Sequence, residues 1–166
     1  MKELQIDRMN SPIGTILIVV DDEQLCSLDY AGYEQRMMIL LEKRYGQVSF
    51  RQTADPCGFS GKLHQYFAGD YHCLDTIAVN TGGTAFQQQV WSLLRTILPG
   101  TTMTYGQLAA KLGKPNAYRA VGATNALNPI AIVLPCHRVV GADTSLIGYA
   151  GGLERKRWLL QHEHTL

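Results

Sequence analysis

The sequence predicts an α+β protein, with a small antiparallel sheet early in the chain and a mainly helical second half. Three observations lead to this prediction. Short apolar runs separated by turn residues occupy residues 16–28. Further along the chain, apolar residues recur at helical spacing. Near the midpoint, Gly82 and Gly83 interrupt the apolar pattern, so we expect one domain over residues 1–80 and another over 81–166.

The first domain is expected to combine a β-hairpin with two helices. The hairpin follows the turn at residues 11–14 and has acidic residues between its strands. Apolar side chains at helical spacing mark the helices, and Gly69 ends the second one. The predicted elements are strands at 16–20 and 24–28, a helix at 33–45, a short strand near 48–51 and a helix at 59–67.

Two capping boxes mark helix starts in the second domain. Thr84 precedes Gln87, and Thr104 precedes Gln107, by three residues in each case. At this spacing a threonine hydroxyl and a glutamine side chain satisfy amide groups that the first turn of a helix leaves without partners. We therefore expect one helix to start after Thr84 and a shorter one to start after Thr104.

A further helix is expected from Pro115 to about Asn125, and it completes the outline of a helix-turn-helix. The turn contains Gly113, and the second helix of such a motif normally meets DNA. Arg119 is the one long cation of this helix, whose small residues include Ala120 and Gly122. The alternative is a tightly packed helix pair with a solvated surface arginine.

The charge distribution divides the chain in a similar place. Residues 1–83 carry seven Lys and Arg against eleven Asp and Glu, net −4, whereas residues 84–166 carry eight against three, net +5. A basic half favours a polyanionic partner such as nucleic acid, because phosphate neutralisation dominates non-specific binding. Statistical scatter in a small protein is the alternative explanation.

Composition indicates a globular protein, with 46% hydrophobic and 17% charged residues. The charged start and the short apolar run at residues 16–20 predict a cytoplasmic protein without a membrane partner. No Cys-x-x-Cys pair or paired histidine spacing occurs, so we expect reduced thiols and no metal. The four cysteines are Cys26, Cys57, Cys73 and Cys136.

Cys136 stands in the most reactive setting of the four. The segment before it, residues 130–134, is apolar, and His137 and Arg138 follow it directly. A free thiol titrates near ~8.5, so a neighbouring base and a cationic setting would favour the nucleophilic thiolate at neutral pH. As a bare dipeptide, Cys-His also fits a structural cysteine.

Further motifs follow in order along the chain. They are Thr84-Ala85-Phe86-Gln87-Gln88-Gln89-Val90-Trp91, Tyr105-Gly106-Gln107-Leu108-Ala109, Arg119-Ala120-Val121-Gly122, Asn128-Pro129, Pro135-Cys136-His137-Arg138-Val139, Gly148-Tyr149-Ala150-Gly151-Gly152, Trp158-Leu159-Leu160 and His162-Glu163. Together they resemble the O6-alkylguanine-DNA alkyltransferase family, also called methylated-DNA-protein-cysteine methyltransferases. The resemblance covers most of residues 81–163 and is looser over residues 1–80.

The resemblance implies a catalytic group of three residues. Cys136 would be the nucleophile, His137 its base acting through a water, and Glu163 the group that orients the imidazole. Adjacent residues rarely face each other, so a bridging water is physically sensible. The residues alone do not select Glu163 over Glu154 or Asp143.

The resemblance also implies residues that hold the DNA and the damaged base. Arg119 would fill the stack that the rotated base leaves, with Ala120 and Gly122 on the same DNA-binding helix. Asn128 would be the hinge that ties this helix to an active-site strand. The residues implied for the base pocket are Tyr105, which would bond the flipped guanine and help neutralise the leaving purine, together with Tyr149, Val139 and Ala150.

The implied activity is repair of double-stranded DNA that carries O6-alkylguanine or O4-alkylthymine. The alkyl group passes irreversibly to Cys136, once per molecule. The implied fold is a ribonuclease H-like domain followed by a winged helix-turn-helix-like domain that carries the active site. We expect a monomer without cofactor or metal. Ala150 stands where some relatives carry serine, and residues 125–127 are not basic, which leaves the tolerance for bulky alkyl groups open.

Three other functions remain as alternatives. A non-catalytic relative would bind the lesion and recruit repair factors, although Cys136 at the nucleophile position argues against it. A Cys-His hydrolase or acyltransferase would turn over repeatedly without DNA. A helix-turn-helix regulator would prefer one DNA sequence over a lesion.

Overall fold

The structure, a computed structural model, describes residues 1–166 and divides into two compact units, Met1–Gly82 and Gly83–Leu166. The first unit contains the four-stranded sheet and two α-helices, and the second contains four α-helices and a two-stranded sheet. The predicted α+β class is therefore confirmed. None of the helices combines the length and the apolar character needed to cross a bilayer.

The sheet of the first unit has the strand order β3-β2-β1-β4. β1 pairs antiparallel with β2 and parallel with β4, and β2 pairs antiparallel with β3. The predicted hairpin is confirmed as β2 and β3, and both predicted helices are present. The elements are β1 (Lys2–Met9), β2 (Ile16–Asp21), β3 (Gln24–Tyr30), α1 (Glu34–Tyr45), β4 (Val48–Gln52) and α2 (Phe59–Phe67).

β1 is the strand of this four-stranded sheet that the sequence did not predict. It lies between β2 and β4, and its buried residues Leu4 and Ile6 alternate with more exposed polar residues. This period-two pattern is the signal of a strand with one covered face. Its abundant charges conceal the pattern in the sequence. Leu4 and Ile6 pack with Met37 and Leu41 of α1 in the core of this unit.

The second unit begins with a capped helix and contains the predicted helix pair. Thr84 Oγ1 accepts from the Gln87 amide at 3.1 Å, and Thr104 Oγ1 accepts from the Gln107 amide at 3.0 Å, which confirms both capping boxes. A 3-10 turn at Pro115–Ala117 leads into α5. The elements are α3 (Ala85–Leu94), β5 (Met103–Thr104), α4 (Tyr105–Lys111), α5 (Tyr118–Ala126), β6 (Val139–Val140) and α6 (Leu153–His162), with β5 and β6 parallel.

The expectation of an active-site strand before Cys136 is wrong. Residues 130–134 form buried turns, in which the Leu134 amide donates to the Ile130 carbonyl at 3.1 Å. Ile132 has a φ of 70°, a left-handed conformation that no regular strand contains. An apolar run of this length fits a buried strand or a buried turn equally well, and the tertiary contacts decide between them.

Candidate active site

Cys136 opens a short 3-10 turn, Cys136–Arg138, that follows these buried turns and leads into β6. The residue is 4% exposed. It borders a cavity of about 230 Å³. The other lining residues are Tyr105, Gly122, Asn125, Ala126, Gly148, Tyr149 and Ala150. Five of the predicted site residues therefore meet at one cavity: Cys136, Tyr105, Gly122, Tyr149 and Ala150.

Asn128 holds the turns that deliver Cys136. Its Nδ2 donates to the Leu134 carbonyl at 2.7 Å, and its Oδ1 accepts from the Ile130 amide at 2.9 Å. The buried amide thus joins the two ends of the turn segment between α5 and the 3-10 turn. These bonds lie within the turn segment that follows α5, where a strand was expected, and the hinge role of Asn128 stays a prediction.

His137 and Glu163 are in direct contact inside the unit. His137 is 0% exposed, and its Nε2 lies 2.9 Å from Glu163 Oε2. Arg138 also binds this carboxylate, with Nε donating to Oε1 and an Nη donating to Oε2, both at 2.9 Å. The same guanidinium donates to the Ile97 carbonyl at 2.7 Å. The family resemblance implied roles for the histidine and the glutamate, but no prediction assigned Arg138 to this buried cluster.

The charges of this cluster determine where the imidazole proton lies. Burial opposes ionisation of Glu163, but His137 and Arg138 hold the pKa of its carboxyl well below the usual range. Burial lowers the pKa of His137 against the opposing effect of Glu163, so the imidazole is neutral near pH 7. An ionised carboxylate only accepts hydrogen bonds, so Nε2 carries the proton. Nδ1, which is buried and has no hydrogen-bond partner, therefore presents a lone pair.

Tyr105 contacts the loop on the other side of the cavity. Its hydroxyl donates to the Ile147 carbonyl at 3.2 Å, and burial raises the pKa of the phenol. The next residue, Gly148, has a φ of 63°, and a side chain there would bring a carbon within 3.2 Å of the Tyr105 hydroxyl. Glycine therefore lets this loop approach the phenol closely.

Lys156 is a buried cation that the sequence analysis did not single out. It is 0% exposed, and its Nζ donates to the carbonyls of Val139 at 2.5 Å, Ile147 at 2.8 Å and Gly148 at 3.2 Å. Burial lowers the pKa of its ammonium to about 8. Lys156 precedes the buried Leu159 and Leu160 by three and four residues. Residues at this spacing share one helix face, so the spacing was the sequence signal that Lys156 is buried.

Six of the predicted site residues do not line the cavity: His137, Glu163 and Asn128, described above, and Val139, Arg119 and Ala120. Val139 is buried in β6, and its carbonyl is bonded to Lys156. Arg119 and Ala120 lie on the exposed face of α5. The guanidinium carbon of Arg119 is 5.8 Å from the centre of the exposed Tyr118 ring.

Comparison with known proteins gives matches along almost the whole chain. Residues 7–81 match a model of the ribonuclease-like domain of 6-O-methylguanine DNA methyltransferase, and residues 85–165 match its DNA-binding domain. The methylated-DNA-protein-cysteine methyltransferase of Shigella flexneri is 45% identical over 100% of this chain and 99% of its own length. The chain belongs to the 6-O-methylguanine DNA methyltransferase family.

Other family members are similar in sequence and in structure. The methylated-DNA-protein-cysteine methyltransferase of Mycobacterium tuberculosis is 42% identical over 95% of this chain and 90% of its own length. A crystal structure described as Mycobacterium tuberculosis OGT in complex with DNA superposes with a TM-score of 0.79 at 35% identity, covering 97% of this chain and 92% of that one. The O6-methylguanine-DNA methyltransferase of Pyrococcus kodakaraensis gives a TM-score of 0.77 at 27% identity, covering 96% and 98%.

Family membership also confirms the predicted order of folds. The ribonuclease-like part comes first in the 6-O-methylguanine DNA methyltransferase family, and the helical DNA-binding part follows it. All of the cavity-lining residues belong to the second part. The sequence had predicted this family from its motifs, and the prediction is confirmed.

Proposed function

We propose that this protein repairs double-stranded DNA by moving the alkyl group of O6-alkylguanine, or of O4-alkylthymine, to the sulfur of Cys136. The observation that carries the proposal is the cavity that both the buried Cys136 and Tyr105 line. His137, the residue after Cys136, has a buried Nδ1 atom with a lone pair and no hydrogen-bond partner. The protein acts in the cytoplasm as a monomer and needs no cofactor. DNA binding and alkyl transfer belong to residues 81–166.

His137 acts as the base in this reaction. Its Nδ1 accepts the proton of the Cys136 thiol through a water, and Glu163 stabilises the imidazolium that forms. Arg138 holds the Glu163 carboxylate in place and keeps it ionised. Because His137, Arg138 and Glu163 are all buried, bulk solvent does not compete for the hydrogen bonds between them. The orientation of the imidazole is therefore defined before substrate arrives.

The thiolate then displaces the base at the alkyl carbon. A sulfur–carbon bond forms, the bond between carbon and O6 breaks, and the electron pair passes to the purine. Tyr105 lies at the cavity where its phenol neutralises the leaving purine. The product is a thioether, which has no hydrolytic exit comparable to that of a thioester, so each chain reacts once.

The damaged base must leave the duplex to reach Cys136. Arg119 stands exposed on the second helix of the helix-turn-helix and fills the stack that the base vacates. The small residues Ala120 and Gly122 on the same helix allow a close approach of its backbone to a groove. Tyr149 and Ala150 line the cavity that receives the base. Val139 takes part in the base pocket through its backbone, whose carbonyl accepts a hydrogen bond from Lys156 Nζ.

Intact-mass measurement of the full chain after incubation with an O6-methylguanine duplex tests the proposal. We expect one methyl mass per chain, mapped to the peptide that contains Cys136, and none in the Cys136→Ala variant. Burial raises the pKa of Cys26 to about 11 and also raises that of Cys73, so these thiols should stay unmodified.

Two outcomes would contradict the proposal. Repeated turnover by one chain, or transfer that persists in Cys136→Ala, would exclude a single-use Cys136. Selective lesion binding without any added mass would instead indicate a non-catalytic lesion-binding protein.

A further inference from the structure

The charged end of Arg119 lies over an aromatic ring at the start of α5. Its guanidinium carbon is 5.8 Å from the centre of the Tyr118 ring. Both side chains are exposed in the first turn of the helix, and Tyr118 is 48% exposed. A guanidinium within about 6 Å of a ring centre is attracted by the negative face of the ring. Tyr118 therefore favours one position of the Arg119 guanidinium at the protein surface.

Helix geometry does not impose this contact. Consecutive helix residues point in different directions, so their side chains do not normally meet. Arg119 also takes no part in the ion pairs of the structure, which join other basic residues to aspartates and glutamates. No carboxylate therefore competes with the ring for this guanidinium.

A second cation of the helix-turn-helix has the same kind of neighbour. Lys114, in the turn before α5, has its ammonium nitrogen 5.4 Å from the centre of the Phe86 ring in α3. Lys114 is exposed, whereas Phe86 is half-buried. Both cations belong to the turn and helix proposed to meet DNA, so aromatic support of cations is a property of this surface.

We infer that Tyr118 is a positioning residue for Arg119, whose ring orients the guanidinium for entry into the stack that the damaged base leaves. An arginine side chain has many rotamers, and ordering it on binding costs free energy. A contact that already restricts these rotamers reduces that cost and makes rotation of the base more favourable. Because the ring is exposed on the same turn of the helix, it can stay beside the side chain when Arg119 enters the duplex.

This inference rests on the proposed alkyl transfer and concerns only its DNA step. Tyr118→Ala should slow transfer from an O6-methylguanine duplex about two- to fivefold, the effect of one exposed cation–π contact. Transfer from free O6-benzylguanine should keep the wild-type rate, because the free base needs no rotation out of a stack. Tyr118→Phe retains the ring and should react like wild type with both substrates.

Single-turnover rates on the two substrates test the inference in Tyr118→Ala, Tyr118→Phe, Arg119→Ala and the double variant Tyr118→Ala with Arg119→Ala. If the ring acts only through the guanidinium, removing it should cause no further loss once Arg119 is absent. Leu98→Ala is the matched control, because it also removes an exposed apolar side chain from the second unit. Its rates should equal those of wild type.

Four results would overturn the inference. A wild-type or faster duplex rate in Tyr118→Ala would mean that the ring does not aid entry of the arginine, and equal losses on both substrates would indicate a structural role. A Tyr118→Phe variant as slow as Tyr118→Ala would assign the effect to the hydroxyl. Additive losses in the double variant would mean that Tyr118 contacts DNA by itself. Absence of transfer by wild type on both substrates would instead refute the proposed function.

Discussion

At the level of single residues, Glu163 is a buried carboxylate with two charged or polar partners. It is 2% exposed and accepts hydrogen bonds from both His137 and Arg138. Removing one member of such a buried ionic group leaves the others without compensation, which costs about 3–5 kcal/mol in unfolding free energy. A substitution at Glu163 therefore acts on stability and on the imidazole together, and both must be measured.

We predict that Glu163→Gln slows alkyl transfer about 10- to 100-fold at neutral pH, because the imidazole loses the carboxylate that fixes its tautomer and stabilises its charge. Rising pH should restore part of the rate by ionising the Cys136 thiol directly. Single-turnover rates across pH, with the Tm of each variant, measure this. Glu154→Gln is the matched control, since it removes an exposed carboxylate from the first turn of α6.

Coupling between His137 and Glu163 can be measured in a double-mutant cycle. If the two residues form one unit, His137→Phe and Glu163→Gln together should lose far less than the sum of their separate losses. In wild type, burial lowers the pKa of His137 below its ordinary value of 6.5, so the imidazole stays neutral as the pH falls through 6.5. The rate of alkyl transfer should therefore stay constant over that pH range. Additive losses, or a normal Glu163→Gln rate in a folded protein, would leave Glu163 a purely structural role.

At the level of elements, α5 divides its faces between the cavity and solvent. Gly122, Asn125 and Ala126 line the cavity, whereas Tyr118 and Arg119 are exposed at the start of the helix. One helix can therefore meet DNA with its first turn while its later residues face the extruded base. Lys156 does not line the cavity, but its three hydrogen bonds attach the carbonyls of Ile147 and of the cavity-lining Gly148 to α6 and β6.

We predict that Arg119→Ala slows transfer from duplex at least about tenfold but leaves the reaction with free O6-benzylguanine close to wild type. The free base needs no rotation out of a stack, so it does not depend on the arginine that fills the gap. Single-turnover rates on both substrates measure the ratio. Arg157→Ala, which removes an exposed arginine from α6, is the control. Equal losses on both substrates would mean that Arg119 supports the cavity or the chemistry.

For the whole molecule, the two compact units differ in charge. Met1–Gly82 carries net −4 and Gly83–Leu166 carries net +5. These values equal the counts for residues 1–83 and 84–166, because residue 83 is an uncharged glycine. The second unit also contains the helix pair typical of DNA recognition. The whole chain is nearly neutral, but its second unit is basic, and this charge favours binding to a phosphate backbone.

We predict that affinity for undamaged duplex falls as salt rises, with a slope of roughly 0.9 for each phosphate that the protein neutralises. Lys114→Ala, in the turn before α5, should reduce that slope by about one, because it removes one cation from the basic unit. Lys43→Ala, an exposed lysine of α1 in the acidic unit, should leave the slope unchanged. Binding isotherms at several salt concentrations measure both. Equal effects of the two substitutions would contradict a DNA surface on the basic unit.

Features that depend on neighbouring residues could be predicted from the sequence. The capping boxes at Thr84 and Thr104 set the starts of α3 and α4, because the groups that satisfy each other lie three residues apart. The hairpin and the helices follow from apolar spacing in the same way. The family was readable because its motifs are contiguous and ordered. β1 escaped notice because charged residues fill its exposed face.

Contacts between residues that lie far apart in the chain follow from tertiary packing, which local sequence patterns do not predict. His137 and Glu163 are 26 positions apart, and no local pattern favours Glu163 over Glu154 or Asp143, which are both exposed in the fold. The same holds for Arg138 bonded to Ile97 and for buried Lys156. Such contacts depend on how helices and turns pack, since packing sets which polar atoms are removed from water and must find a partner there.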